Sequence, residues 1–192
     1  KQIKGDQALA MQLHDTGNSD AMYLAGLVAD GAQMKRAELD RWAKNATWHM
    51  ISGCTVPWVA SEHPEAVEIA MKWIESPKEG IAEAGWATLC AVASVVADER
   101  LPVKELDALL THVVKTIHTA PNRVRHGMNQ FVICCGTYVA PLAEKALTAA
   151  RKIGKVAVDM GPTACQVPDA EPYIIKSRRG LTIAPKRRTA KC

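Results

Sequence analysis

The sequence predicts an all-α protein, an α-α superhelix of about ten helices that ends in a basic tail. Three observations carry this. Apolar residues recur at helical spacing along the chain. Ile81, Gly85, Leu89, Val92 and Val96 fall four, four, three and four apart, and Val124, Met128, Phe131, Cys135 and Tyr138 fall four, three, four and three apart. Alanine is abundant and β-branched runs are short, which favours helix over strand. The chain also repeats itself. "MKWIESPKEGIAEAGWATLCAVAS" lies without gaps on "VKTIHTAPNRVRHGMNQFVICCGT", so that Ile74 meets Ile117 and Ile81 meets Val124, each 43 residues apart.

A helix–turn–helix unit of 43 residues is in the length range of HEAT or armadillo repeats. Trp42 precedes Trp73 by 31 residues in a similar place, a shorter unit. Stacked pairs bury their cores against neighbours and leave one curved face for a partner, so a solenoid is expected over a closed bundle. The 192 residues, 48% apolar and 23% charged, suit a single domain over 1–192 with a proper core. The chain opens on Lys1 rather than Met, from which we expect a missing N-terminal portion.

Taken in order, helices are expected at about residues 5–14, 19–30, 35–45, 47–61, 64–75, 78–97, 103–119, 122–138, 141–157 and 169–179. Gly17 in "HDTGNSD" stops the first, and Asn18 or Ser19 caps the second. Pro64, Pro77, Pro102, Pro121 and Pro141 stand near helix starts, where a missing N–H costs nothing. Pro57 lies inside the fourth and should bend it. "VDMGPTACQVPDAEP" is the one long irregular stretch, with Asp169 as cap for the last helix. Trp58, Trp73 and Trp86 sit among Ala, Val and Ile and are expected in the core.

Charge is uneven. Residues 121–192 hold 13 Lys/Arg against 4 Asp/Glu, whereas residues 1–120 hold 11 against 16. From Pro172 to Cys192 there is no acid, while Lys176, Arg178, Arg179, Lys186, Arg187, Arg188 and Lys191 are basic. Such a patch suits a phosphate backbone, and a solvated, floppy end is the other reading. Arg123, Arg125 and His126 open the helix in "PNRVRHGMNQF". With Asn129 and Gln130 one turn on, they form a polar ridge suited to phosphate.

Other classes find little support. The six cysteines, Cys54, Cys90, Cys134, Cys135, Cys165 and Cys192, make no Cys-x-x-Cys pair and are expected as reduced thiols of a cytoplasmic protein. Histidine spacing gives no metal set, with His112 and His118 six apart. His49 beside Trp48 reads as a surface residue. No phosphate loop, serine elbow or Cys/His dyad is present, and no cofactor is expected. The Ile81–Ala97 stretch is too short and Ala-rich to span a bilayer, and no signal peptide is visible, so no membrane partner is expected.

The run "MNQFVICCGTYVAPLAEKALTAARKIGKVAVDMGPTACQVPDAEPYI" followed by "KRRTAKC" resembles the DNA alkylation repair family, the AlkD-like HEAT-repeat proteins. "LHDTGNSDAMYLAGLVAD" resembles the family's early helix pair. The W-x-x-x-x-x-W of Trp42 and Trp48 and "VPWVASEHPEAVEIAMKWIES" fit its middle. The resemblance implies a concave basic groove that holds double-stranded DNA. In members that are enzymes, it also implies excision of cationic 3- or 7-alkylpurines without rotating the base into a deep pocket. A carboxylate stabilises the sugar cation there, and tryptophans hold sugar and backbone. Trp48 matches one of those tryptophans. Four residues on, active members place an Asp, and here Ser52 stands. A second family tryptophan falls near Asn129 or Gln130.

Spacing puts Trp48 and Ser52 on one helical face, both lining the groove. A hydroxyl does not replace the charge. At about 4 Å and an effective dielectric of about 20, the lost attraction is roughly 4 kcal/mol, about a thousandfold in rate. The expected function is therefore DNA binding of the alkylation-repair kind by a monomer, with Trp48 and Ser52 at the candidate catalytic position. Asp40 and Glu83 are the candidate substitute acids. DNA contacts are expected from Arg123, Arg125, Asn129, Lys152 and Lys155, and from the tail through Arg178, Arg179, Lys186, Arg187 and Arg188. A non-catalytic HEAT-repeat scaffold for an acidic protein is the alternative.

Overall fold

The computed structural model describes residues 3–191, and over these the fold is all-helical. Cys192, expected as a sixth thiol, lies outside the described residues. The other five cysteines are outside disulfides. Two compact units divide the chain. One gathers residues up to Val92 with the chain from Thr189, and the other is Ala93–Arg188.

The first unit contains α1 (Gln7–Asp15), α2 (Ser19–Val28), α3 (Arg36–Asn45), a π-helical turn Ile51–Thr55, α4 (Val56–Ala60), α5 (Ala66–Ile74) and most of α6 (Glu79–Val95). Local signals set its ends. Asn18 Oδ1 accepts from the N–H groups of Asp20 and Ala21 at 3.0 and 3.1 Å. Glu38 reaches back to the Lys35 N–H at 2.7 Å. Leu39, Trp42, Ile51, Val56, Val59, Ile69 and Trp73 make its core. Trp58 and Trp86 are also buried, as their surroundings in sequence indicated. The α6 helix buries more than one stripe, since Ala82, Glu83, Ala84, Trp86, Thr88 and Leu89 are all covered.

The second unit contains α7 (Val103–Thr116), α8 (Asn122–Tyr138), α9 (Ala143–Ile153) and α10 (Ala170–Arg178). The stripe read along α8 holds. Val124, Met128, Phe131 and Cys135 are buried, and Tyr138 is half-buried. Burial pushes the Cys135 thiol well above its ordinary range. The helix expected to run to residue 157 stops at Ile153, because Gly154 turns the chain with φ +61°.

The tail is exposed along much of its length but held in place rather than floppy, which corrects part of one of the two readings above. Ala184 N–H donates to Thr137 O at 2.9 Å and Arg187 N–H to Ser94 O at 2.8 Å. Lys186 Nζ reaches Asp98 at 2.8 Å and Ala93 O at 2.8 Å. Within the first unit, Lys191 Nζ lies 2.6 Å from Ala29 O and 3.0 Å from Glu62. Among the described residues no single helix is long and apolar enough to cross a membrane.

One core pair makes the fold acid-sensitive. His14 stacks on Trp42 at 4.2 Å and 4°, and neither ring nitrogen of His14 has a hydrogen-bond partner among the described residues. Burial lowers its pKa from 6.5 to about 4, with Asp15 opposing and Arg41 adding. The unfolded chain therefore binds the proton more readily than the folded one. This stability is complete above pH 6.5 and is lost as pH falls toward 4. Between neutral pH and pH 5 the loss is expected to be about 2 kcal/mol. Urea unfolding at the two pH values measures it. His14→Phe should flatten the dependence, and an unchanged slope in that variant would refute the assignment.

Candidate nucleic-acid interface

In the first unit the candidate centre is the segment between α3 and α4. Trp48 stands out of the surface at 46% exposed, with the His49 ring edge-on to it at 5.5 Å. Ile51 N–H and Ser52 N–H both bond to Trp48 O, at 2.8 and 3.1 Å. The chain then makes its π turn, closed by the Val56 N–H on Ile51 O. Pro57 stands in the first turn of α4. The proline expected inside one continuous helix thus stands in the first turn of a short helix that follows a π turn. Such turns insert one extra residue and rotate the helix beyond them.

This geometry separates two residues that spacing had put together. Ser52 is only 2% exposed, so it does not share the Trp48 surface. Its hydroxyl donates to Glu83 Oε2 at 2.6 Å. Glu83, on α6, is 4% exposed, and its other oxygen would lie 3.0 Å from a Cβ at position 53. The carboxylate thus packs close against the turn at Gly53. Glu83 is therefore engaged inside the unit rather than presented beside the indole. The other candidate acid, Asp40, accepts from the Trp73 indole N–H at 2.7 Å and pairs with Lys72 at 3.4 Å.

In the second unit the residues expected at DNA separate into two groups. Asn129 is fully buried, its amide donating to Pro168 O at 2.9 Å, so it is not available to phosphate. Arg178 is 8% exposed and donates through Nε and Nη2 to Gly136 O at 2.9 and 2.7 Å, and through Nη2 to Ala143 O at 3.3 Å. Gly136 O is one of the carbonyls that the end of α8 leaves without a helical partner, so a buried cation caps it. Lys186 is held by Asp98 and Ala93 O. These three were expected at DNA, and the structure spends them on packing instead.

The ridge expected at the start of α8 is covered in part. Asn122 exchanges two bonds with the Asp159 backbone, at 2.8 and 2.7 Å. Arg123 lies half-buried, 3.8 Å from Met160 Sδ, and Arg125 and His126 are also half-buried. Lys152, Lys155, Arg179, Arg187 and Arg188 are exposed and form no ion pair among the described residues. Tyr173, which the sequence reading did not single out, is 44% exposed on α10. The signal available was an aromatic interleaved with basic residues in "EPYIIKSRRG". Among the described residues no group of three or more His, Cys, Asp or Glu side chains is placed to hold a metal ion.

Comparison with known proteins agrees with this architecture. A family profile described as DNA alkylation repair enzyme matches residues 1–164. The uncharacterized protein Lin0241 of Listeria innocua is 33% identical over 180 residues, covering 93% of this chain and 77% of that protein. The uncharacterized protein Lmo0209 of Listeria monocytogenes is similar to the same extent. A solved structure overlays with a TM-score of 0.91 at 34% identity, over 100% of this chain and 81% of that one. It is described as belonging to a new family of proteins related to the HEAT-like repeat DNA glycosylases, with affinity for branched DNA structures.

Proposed function

Since the chain belongs to the DNA alkylation repair enzyme family, we propose that it is a DNA-binding member that prefers branched DNA over linear duplex and does not excise alkylpurines. One observation carries the second half. By the family resemblance Ser52 falls where active members carry an Asp, and its hydroxyl is buried on Glu83. The exposed Trp48 indole is left without the carboxylate that would stabilise a sugar cation. Asp40 is bound to Trp73 and Lys72, and Glu83 is covered. Without that charge the rate falls by about a thousandfold, the equivalent of roughly 4 kcal/mol at about 4 Å.

The first half is supported by the exposed cations of the second unit and by what is said of the similar structure. Phosphate contacts make affinity fall with salt, with a slope of about 0.9 per phosphate neutralised. The test uses fluorescence anisotropy with a four-way junction and a linear duplex of equal length, across salt. Tighter binding to the junction with a steep salt slope is expected. A slope near zero would replace this reading with the protein-scaffold alternative. Incubation at high protein with DNA containing 7-methylguanine is expected to release base at the spontaneous rate. Any faster release would refute the loss of excision.

A further inference from the structure

In the second unit, helix α10 has two faces with different tasks. Ile174 and Arg178, one turn apart, point inward. Ile174 is fully buried against Gly136, where a Cβ would stand 2.6 Å from Ile174 Cδ1. Arg178 fastens the same helix to the carbonyls of Gly136 and Ala143. The opposite face carries Tyr173, then Lys176 one turn on, then Arg179, all exposed. Arg179 has φ 51° and ψ 41°, the single non-glycine residue in the left-handed region among those described. A β-carbon makes that conformation unfavourable, and such residues cluster where function has a use for the strain.

The chain after α10 returns alongside. Its backbone is pinned by Ala184 on Thr137 and Arg187 on Ser94, which leaves the Arg187 side chain exposed near the end of α8. Tyr138 follows Thr137, the residue on which Ala184 is held. Burial pushes the Tyr138 hydroxyl up and the Cys134 thiol adds to this. Arg187 pulls the other way, Tyr173 raises it further, and Arg179 lowers it. Tyr173 and Arg179 thus share the exposed side of α10, and the returning chain, held at Thr137 and Ser94 beside the end of α8, carries Arg187. Neither arginine has an ion-pair partner among the described residues, and no acid occurs from Pro172 onward.

We propose that this cluster is a contact site for unstacked nucleotides of a branched DNA. The exposed ring of Tyr173 takes a base that has left the stack, and Arg179 and Arg187 hold the flanking phosphates. This rests on the DNA-binding reading above and adds its structural preference. Every base has a π-face, so an aromatic platform accepts any of them. A guanidinium matches a phosphate in two parallel hydrogen bonds. A linear duplex keeps its bases stacked and offers this surface phosphates alone, whereas a branch point offers both. The platform is rigid before binding, because Ile174 and Arg178 clamp the helix that carries it.

The test uses the full chain and two probes of equal length: a linear duplex, and a three-way junction with two unpaired thymidines at the branch. Tyr173→Ala is expected to weaken junction binding about tenfold while duplex binding changes less than about twofold. Tyr173→Trp should retain the preference. Arg179→Gly removes the left-handed strain with the cation, so it should keep the thermal midpoint yet weaken binding to both probes and lower the salt slope by about 0.9. A junction-to-duplex ratio unchanged in Tyr173→Ala, or an equal loss on both probes, overturns the stacking site. An Arg179→Gly variant that binds like the parent overturns the phosphate contact. If the parent protein binds neither probe, the DNA reading itself falls. If it prefers the junction and the variants keep that preference, the cluster alone falls.

Discussion

Ser52→Asp is expected to lower stability by about 3–5 kcal/mol and to leave base release at the spontaneous rate. Reading the residues alone, this substitution would restore a missing catalytic acid. In the folded protein the Ser52 hydroxyl is buried and donates to Glu83 Oε2 at 2.6 Å. An aspartate there sets a second carboxylate against the first in a site closed to water. One of the two must keep a proton or the turn must open, and both cost free energy. The loss should show as a lower urea midpoint with an unchanged m-value. Adding Glu83→Gln supplies an amide donor for the new carboxylate and should recover a large part of it. A Ser52→Asp protein as stable as the parent, or one that excises 7-methylguanine, would sink the claim that this position is sealed.

Arg178→Ala should cost about 2–4 kcal/mol. It leaves the Gly136 carbonyl, in the last turn of α8, without its two donors and takes a second donor from Ala143 O at the start of α9. Arg178→Lys should recover little, because one ammonium on a flexible stem does not reproduce a planar fork that reaches two carbonyls. At salt and temperature where both proteins are folded, the slope of DNA affinity against salt should match the parent, since this cation is spent inside the unit. A shallower slope with an unchanged unfolding midpoint would return Arg178 to the DNA surface, where its sequence context had put it.

The helices themselves were legible. Nine of the expected spans begin and end within a few residues of α1 to α3 and α5 to α10, because helix limits answer to neighbours on the chain: Asn18 capping α2, prolines at first turns, Gly154 closing α9. The fourth span failed in its interior. A π turn at Ile51–Thr55 has the same apolar spacing as an α-helix, so periodicity does not reveal it, and with that turn the assumed shared face of Trp48 and Ser52 was lost. The site was legible in part. Trp48 does stand at the surface, but Ser52, Glu83, Asn129 and Arg178, read as available or catalytic, are buried, and Lys186 is held by Asp98 and Ala93 O.

Chain-local physics therefore determined the all-helical class and the order of elements, and the sequence also carried the excess of cations after residue 120 and the motifs that resemble the alkylation-repair family. Tertiary structure alone decided which polar groups remain to meet a partner. Ser52 finds its acceptor 31 residues away, Asn129 finds one 39 away, Arg178 one 42 away, and Lys186 a carbonyl 93 away. A hydrogen bond forms by distance in space, and the desolvation that makes it obligatory depends on burial, so neither can be read from order along the chain.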